Sequence, residues 1–280
     1  MRGGAQGHLM LGADGNAYVV KFQNNPQHLR VLVNELMATK LAAAIGLTAP
    51  ACDVVEVTDW LVENTAELDL DLGSRRERCT AGHCFGSRLV GGLMPGHLLD
   101  YLPEEQLNEV RNLEEFAGIL ALDKWTCNTN GRQAVFSRKQ REKKYTATFI
   151  DYGYCFNAGE WVFRDSPLRG VYGRNAVYRG VTGWENFDPW LSRLETLKPE
   201  TIWAIAETVP PEWYEGDAAA LEAVVEQLVV RRARVRELID SFRESSREPF
   251  PNWGRGEEKV RAEQFAEGKW DDELKSGRVM

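Results

Sequence analysis

Strand signals dominate the first third of this sequence, and helix signals dominate the rest. Short apolar-rich runs bounded by turn residues predict four strands, at 7–11, 17–22, 52–57 and 85–90. The dipeptide Asp14-Gly15 between the first two runs is typical of a hairpin turn. One helix interrupts these strands: it is expected to open within 26–30 and to end before Gly46. The polar stretch 58–82 is expected to be a loop.

The remainder of the chain is predicted to be mostly helical. Apolar residues recur at helical spacing between Leu113 and Leu120, and further helices are expected at 188–195, 199–207 and 217–243. Two strands, 133–136 and 145–150, are joined by the basic stretch 137–144. We interpret that stretch as a solvated hairpin tip, with docking of an acidic partner as the alternative. Residues 156–187 are expected to be irregular.

This order of elements predicts an α+β fold of two unequal lobes. We expect a strand-rich N-terminal lobe over 1–90, a helical lobe over 91–243 and a loosely ordered charged tail over 244–280. Two lobes leave a cleft between them, and ligands favour such clefts.

Charge and hydropathy exclude several classes of protein. The 34 basic residues are outnumbered by 42 acidic ones, so the net charge of −8 disfavours a dedicated nucleic-acid binder. The longest apolar run, 116–122, is far below the ~20 residues that a membrane span needs. The first eight residues contain no apolar core of a signal peptide, and we expect a cytoplasmic protein.

Cysteine usage agrees with a reducing compartment. The chain has an odd number of cysteines, which indicates free thiols rather than a disulfide framework; they are Cys52, Cys79, Cys84, Cys127 and Cys155. Cys79-x3-His83-Cys84 resembles half of a zinc site, but the sequence has no second pair at ligand spacing. Ordinary loop thiols are therefore the favoured interpretation.

The N-terminal lobe contains three candidate phosphate-site features. The small residues Gly3 to Gly7 precede the first strand and would let backbone N–H groups approach phosphate oxygens closely. Lys21 ends the second strand. Glu35 lies on an apolar helical face, where a carboxylate is costly unless it is paired, so we predict an ion pair between Lys21 and Glu35.

Polar residues at two later places complete the pattern. Asp123 follows an apolar helix and Asn128 comes five residues later; such a carboxylate can orient a hydroxyl, and such an amide can bind Mg²⁺. Asp151 ends an apolar strand and opens the sequence Asp-Tyr-Gly. Each feature alone has a simpler interpretation, such as a flexible N-terminus, a solvated lysine, a helix end or a turn. Their order along the chain is that of a phosphotransferase.

The sequence resembles the HipA-like kinases, which share a bilobal fold with protein kinases and phosphoinositide kinases. It lacks His-Arg-Asp and has Tyr152 where protein kinases have the Phe of Asp-Phe-Gly. The resemblance covers roughly residues 3–155 and is carried by Gly4-Ala5-Gln6, Val20-Lys21, Asn34-Glu35, Leu41-Ala42, Gly46-Leu47, Asp123-x4-Asn128 and Ile150-Asp151.

The resemblance implies a bilobal kinase-like fold, ATP and Mg²⁺ as cofactors, and a role for each residue. Gly4, Ala5, Gln6 and Gly7 would cover the phosphates, and Lys21, held by Glu35, would contact the α- and β-phosphates. Asp123 would position the acceptor hydroxyl. Asn128 and Asp151 would hold Mg²⁺, with Asn130 as the alternative to Asn128. Residues 85–90 would form the hinge beside adenine.

The resemblance leaves the acceptor unidentified. A serine or threonine hydroxyl of a protein is favoured, and an antitoxin-like protein is a candidate partner. Two alternatives stay open: a kinase for a small molecule or lipid headgroup, and a non-catalytic nucleotide-binding module that serves as an interaction protein.

Overall fold

The computed structural model describes residues 6–93 and 96–255 of the chain. Its strands are β1 His8–Leu11, β2 Ala17–Lys21, β3 Cys52–Val57, β4 Asp69–Asp71, β5 Arg76–Arg78, β6 Gly82–Arg88, β7 Gly96–Leu99, β8 Gln133–Lys139 and β9 Thr146–Ile150. Its α-helices are α1 Val31–Ala44, α2 Asp59–Asn64, α3 Glu115–Trp125, α4 Trp190–Glu195, α5 Pro199–Ala206, α6 Ala218–Arg231 and α7 Val235–Arg243.

A four-stranded antiparallel sheet forms the first lobe, with strand order β1-β2-β6-β3. The register pairs Lys21 with Phe85 and Val20 with Gly86. Because successive side chains alternate between faces, Val20 packs in the small apolar cluster of this lobe while Lys21 faces the other way. The hairpin of β1 and β2 was predicted from its Asp14-Gly15 turn and is present.

Helix α1 is buried on all sides. All but three of its 14 residues are buried. The sequence predicted only one buried apolar face, so the helix is more buried than expected. The helix belongs to the main core cluster, which also contains α3 and the buried parts of β8 and β9. Gly46, with φ +85°, follows the helix in the left-handed conformation that commonly ends helices. α1 therefore connects the first sheet to the rest of the molecule.

The second lobe contains a three-stranded sheet and the remaining helices. The sheet has the order β7-β8-β9, and β9 ends next to Asp151. Helix α3 packs against α4 and α7, and its residues from Phe116 to Trp125 are all buried. This burial places the loop after α3, residues 126–132, beside the end of β9. The predicted boundary at residue 90 falls in the turn that follows β6.

Three sequence expectations need correction. The stretch 58–82 is not a plain loop, because it contains α2 and the small hairpin β4–β5. The helix predicted over 217–243 is broken by a 3₁₀ turn at Arg232–Arg234. The segment 244–255 is not loosely attached: Phe250 is buried, and the backbone N–H of Gly254 donates to the carbonyl of Thr182 at 2.8 Å. Residues 256–280 of the predicted tail lie outside the described residues.

No helix within the described ranges is long and apolar enough to cross a membrane. The residues of the zinc-like pattern serve other contacts. Cys79 and Cys84 are buried thiols of the first lobe, and the His83 Nδ1 atom lies 2.6 Å from a carboxylate oxygen of Glu212 in the second lobe.

Candidate active site

A cleft of about 400 Å³ lies between the four-stranded sheet and the three-stranded sheet. Apolar side chains such as Val19 and Val135 line it, together with the charged side chains of Lys21, Glu35 and Asp151. Such a lining suits a ligand that has a flat apolar part and an anionic part.

Lys21 is the charge centre of this cleft. Its ammonium contacts Glu35 Oε1, and it lies 3.0 Å from Asp151 Oδ1. The ion pair with Glu35, predicted from sequence, is present. Burial alone lowers the pKa of Lys21, but the charges of the two carboxylates outweigh burial and raise it. The lysine is therefore protonated and able to attract an anionic ligand.

Asp151 follows β9 with φ 63°, a left-handed conformation that turns the chain sharply. Lys21 binds one of its carboxylate oxygens, and the amide Nε2 of Gln133 donates to the other at 2.6 Å. Burial raises the pKa of Asp151, but the charge and hydrogen bond of Lys21 outweigh burial and lower it. The carboxylate is therefore ionised and faces the cleft.

Glu35 also holds the turn that begins at Asp151. Its carboxylate accepts hydrogen bonds from the backbone N–H groups of Tyr152 at 3.1 Å and Gly153 at 3.0 Å. A Cβ at Gly153 would lie 2.7 Å from the Val31 side chain and 3.1 Å from Glu35, so glycine is required for this close approach. One carboxylate on α1 thus fixes both Lys21 and the Asp-Tyr-Gly turn.

Asp123 does not reach the cleft. Its side chain is 1% exposed, and its two oxygens accept hydrogen bonds from the guanidinium of Arg132, at 2.5 and 2.9 Å. Arg132 also donates to the backbone carbonyl of Ile150 at 2.8 Å, and it lies over the Tyr152 ring. The structure therefore places Asp123 behind Asp151, as the counter-ion of an arginine that supports the end of β9.

The two asparagines of the loop have different surroundings. Asn128 is buried; its amide nitrogen donates to Asp123 Oδ1 at 2.9 Å, and its oxygen accepts from the backbone N–H of Asn130 at 3.0 Å. Asn130 is exposed and lines a neighbouring groove of about 390 Å³ with Gln27, Tyr154 and Arg169. Neither asparagine lines the cleft that contains Lys21 and Asp151.

Gln133 is a residue that sequence reasoning missed. Within the described ranges, no group of three or more His, Cys, Asp or Glu side chains could hold a metal ion by itself. Asp151 offers carboxylate oxygens, which suit a hard cation whose other ligands are phosphate oxygens, and the Gln133 amide, whose nitrogen contacts that carboxylate, also lines the cleft. In the sequence, only its position could have indicated Gln133, because it is the first residue of β8 and directly follows the loop.

The described part of the glycine-rich loop lies at the mouth of the cleft. Gln6 and Gly7 line it, whereas Gly4 and Ala5 lie outside the described residues. The Gln6 side chain is tied to the backbone of Asp71, accepting from its N–H at 2.7 Å and donating to its carbonyl at 2.6 Å. A Cβ at Gly7 would lie 2.7 Å from Val19, so a larger residue does not fit beside β2.

The stretch predicted to form a hinge also borders the cleft. Phe85 and Ser87 of β6 line it, as do Leu89 and Val90 of the turn that follows. The backbone N–H of Leu89 donates to the carbonyl of Ala17 at 2.8 Å, which ties this stretch to β2. Among the described residues, every region in which the sequence predicted a site residue thus borders the cleft, except the region of Asp123, Asn128 and Asn130.

Comparison with solved structures identifies the fold. The structure of a proinflammatory kinase from Helicobacter pylori, CtkA, aligns with a TM-score of 0.55 and 14% identity, over 87% of this chain and 94% of that chain. A Golgi casein kinase aligns with a TM-score of 0.50 and 13% identity, over 88% of this chain and 72% of that chain. The Golgi kinase was also solved with Mn/ADP bound, with the same figures. The chain therefore has a bilobal kinase-like fold.

A search of curated proteins finds no match to the chain. A family model described as a HipA-like kinase matches residues 1–156, more than half of the sequence. This match covers the first loop, Lys21, Glu35, the Asp123 loop and Asp151. The chain belongs to the HipA-like kinase family.

Proposed function

We propose that this protein transfers the γ-phosphoryl group of Mg·ATP to a hydroxyl group, on a serine or threonine of a protein. The observation that carries the proposal is the contact of Lys21 with both Glu35 and Asp151 at one end of the cleft. A fixed ammonium beside a carboxylate that can bind a metal is the arrangement that phosphoryl transfer requires, because catalysis rests on positioning and charge stabilisation.

Each residue of the cleft has a role in this proposal. Lys21 binds phosphate oxygens and is held by Glu35. Asp151 and Gln133 hold Mg²⁺, which supplies charge stabilisation at the phosphates when it is bound; for this the Gln133 amide, whose nitrogen donates to Asp151 in the structure, turns its oxygen toward the metal. Gln133 takes the place that the sequence gave to Asn128 or Asn130. Gln6 and Gly7 cover the phosphates.

The acceptor enters from the groove beside Asn130 in this proposal. That groove is formed by the loop after α3 and by Tyr154 of the turn after Asp151. Asn130 can orient a hydroxyl by hydrogen bonding; because an amide does not take up a proton, the hydroxyl proton goes to an oxygen of the transferred phosphoryl group or to water. Asp123 supports the site through Arg132 and the backbone at the end of β9.

A second candidate function is a nucleotide-binding module without transfer activity. The burial of Asp123 favours it, because the groove beside Asn130 then has no carboxylate among its described lining residues. Both candidates require Mg·ATP to bind in the cleft, and they differ in whether a phosphoryl group leaves it.

The test measures binding and transfer together. We expect Mg·ATP at 100 times its Kd to stabilise the wild-type protein by about 2.7 kcal/mol, seen as a higher melting temperature. Asp151→Asn should weaken this stabilisation and lower transfer from γ-labelled ATP by ~10²-fold or more. Asp53→Asn, which changes a carboxylate that is 77% exposed, is the matched control.

The outcomes separate the candidates. If millimolar Mg·ATP does not raise the melting temperature of the wild-type protein, both candidate functions are contradicted. Stabilisation without transfer to protein, to small hydroxyl compounds or to water selects the binding module.

A further inference from the structure

A second cavity, of about 210 Å³, lies on the far side of the loop that follows α3. Asp123 at the end of α3 and Asn128 of the loop form one wall, and the segment from Arg164 to Arg169 forms another. Gly170 joins the two walls: with φ +62°, a Cβ there would lie 2.7 Å from the carbonyl of Asn128. The segment is therefore packed directly onto the loop, and the cavity between them is part of the fold.

Lys124 lies within this cavity wall as a buried cation without a carboxylate partner. It is 5% exposed, and its ammonium donates to the carbonyls of Pro167 at 2.8 Å and Arg169 at 2.7 Å. Among residues 6–93 and 96–255, no carboxylate oxygen lies within 4.0 Å of its Nζ atom. Its other contact is the ring of Phe242, whose centroid is 5.1 Å from the Nζ atom. A buried ammonium with only neutral partners is costly, and an anion beside it would lower that cost.

Two arginines of the same cavity are also unpaired. The guanidinium groups of Arg164 and Arg169 make no hydrogen bond or ion pair with any described residue. In contrast, each carboxylate of the lining already binds an arginine: Asp123 binds Arg132, Asp165 binds Arg231, and Glu237 binds Arg234. The cavity therefore presents a surplus of positive charge, although the chain as a whole carries −8.

Arg169 connects this cavity to the groove of the proposed acceptor. It lines the cavity with Lys124, and it lines the groove with Thr129 and Asn130. An acceptor whose hydroxyl lies beside Asn130 can thus place a neighbouring group against Arg169. An anionic group there would meet two planar guanidinium forks and one ammonium, a donor set that matches an oxyanion.

We propose that this cavity binds an oxyanion, a phosphate monoester or a carboxylate, carried by the protein acceptor near the hydroxyl that is phosphorylated. The acceptor part rests on the proposed function. The anion site itself is inferred from Lys124, Arg164 and Arg169 alone.

The anion site is tested by titration calorimetry with inorganic phosphate at constant ionic strength. We expect wild type to bind phosphate, and the double variant Arg164→Ala/Arg169→Ala to bind at least about tenfold more weakly. Arg141→Ala/Lys143→Ala removes two exposed cations from the tip between β8 and β9 and is the matched control. Lys21→Met reports any phosphate that binds in the nucleotide cleft instead.

The proposal holds if the matched control and Lys21→Met bind phosphate as wild type does. It is overturned if wild type binds none at millimolar concentration, if the Arg164/Arg169 variant keeps wild-type affinity, or if Lys21→Met alone loses binding. The melting shift with Mg·ATP, measured on the same variants, reports on the proposed function separately. A wild-type protein that binds phosphate but shows no shift with Mg·ATP contradicts the proposed function and leaves the anion site, whereas Lys21→Met is expected to lose the shift and keep phosphate binding.

Competition identifies the source of the oxyanion. Three serine peptides that differ only in one neighbouring residue, phosphoserine, glutamate or glutamine, are added to the phosphate-loaded protein. We expect the phosphoserine or the glutamate peptide to displace phosphate and the glutamine peptide not to. If neither anionic peptide displaces phosphate, the acceptor part of the proposal is wrong.

Discussion

At the scale of single residues, the described structure pairs most charged side chains near the cleft and leaves Lys124 without a carboxylate. Lys21 is shared by Glu35 and Asp151, and Arg132 is taken by Asp123. The ion pair of Lys21 was predictable, because a carboxylate on an apolar helical face needs a nearby cation. The pairing of Asp123 with Arg132 was not predictable, because Arg132 reaches Asp123 only after the loop has folded back beneath β9.

Because Asp123 is paired with the buried Arg132, the substitution Asp123→Asn tests the role of this carboxylate. We expect this change to lower the free energy of unfolding by roughly 3–5 kcal/mol, because Arg132 would keep a buried charge without its counter-ion. Denaturant unfolding of the apo protein measures the loss, with Asp53→Asn as the exposed control. Normal stability combined with lost transfer would instead support the role at the acceptor hydroxyl that the sequence suggested.

Lys124 predicts a pH effect on stability. Burial lowers its pKa to about 8 from the ordinary 10.5, although Asp123, Cys127 and Asp165 act in the opposite direction. Above pH 8 the folded lysine loses a proton that the unfolded chain retains, so the unfolded state binds more protons and stability rises with pH up to about 10.5.

We therefore expect wild type to gain up to roughly 2–3 kcal/mol relative to Lys124→Met between these pH values. The variant lacks the carbonyl contacts at every pH. The change with pH in the stability difference between the two proteins therefore reports the titration of Lys124. Parallel stability curves for the two proteins would show that Lys124 titrates normally.

At the scale of elements, sequence periodicity located the main strands and helices but missed features set by tertiary contacts. The hairpin β4–β5 escaped notice because Asp69–Asp71 and Arg76–Arg78 are short and charged. No glycine or proline lies at the break between α6 and α7, so the sequence did not predict it. It occurs where Arg231 turns inward to donate to the carbonyls of Lys124 and Trp125, a contact that local sequence does not encode.

The packing of α3 on α4 depends on a glycine within a helix. A Cβ at Gly118 would lie 2.5 Å from the ring of the buried Trp190. We expect Gly118→Ala to destabilise the protein by about 1–3 kcal/mol, because overpacking outweighs the gain of up to ~1 kcal/mol in helix propensity.

Thermal unfolding measures this effect. Gly180→Ala is the control, since no atom lies within 4 Å of a Cβ at that position. A Gly118→Ala protein as stable as wild type would mean that Trp190 can move aside at no cost.

At the scale of the whole molecule, the segment after α7 closes the core of the second lobe. Phe250 packs edge-on against Tyr178 and Phe242, and Trp253 packs against Trp184. The composition of this region, with its prolines and mixed charge, indicated a loose tail. A few aromatic residues override that composition, because each buries a large area against the core.

Truncation tests this conclusion. A chain ending at Arg243 should lose at least about 3 kcal/mol of stability, since burial of Phe250 and packing of Trp253 are both removed. A chain ending at Arg255 keeps these contacts and is the control. Equal melting temperatures for the two truncated chains would contradict the closing role of this segment.

The sharing of Lys21 between two carboxylates has a consequence for the order of events at the cleft. Without a nucleotide, the lysine acts as an internal counter-ion that competes with any divalent cation for Asp151. In the proposed function, phosphate oxygens would draw the ammonium toward themselves and free that carboxylate for the cation that arrives with them. Binding would then be an exchange of counter-ions, and we expect ATP and Mg²⁺ each to bind poorly alone and strongly together.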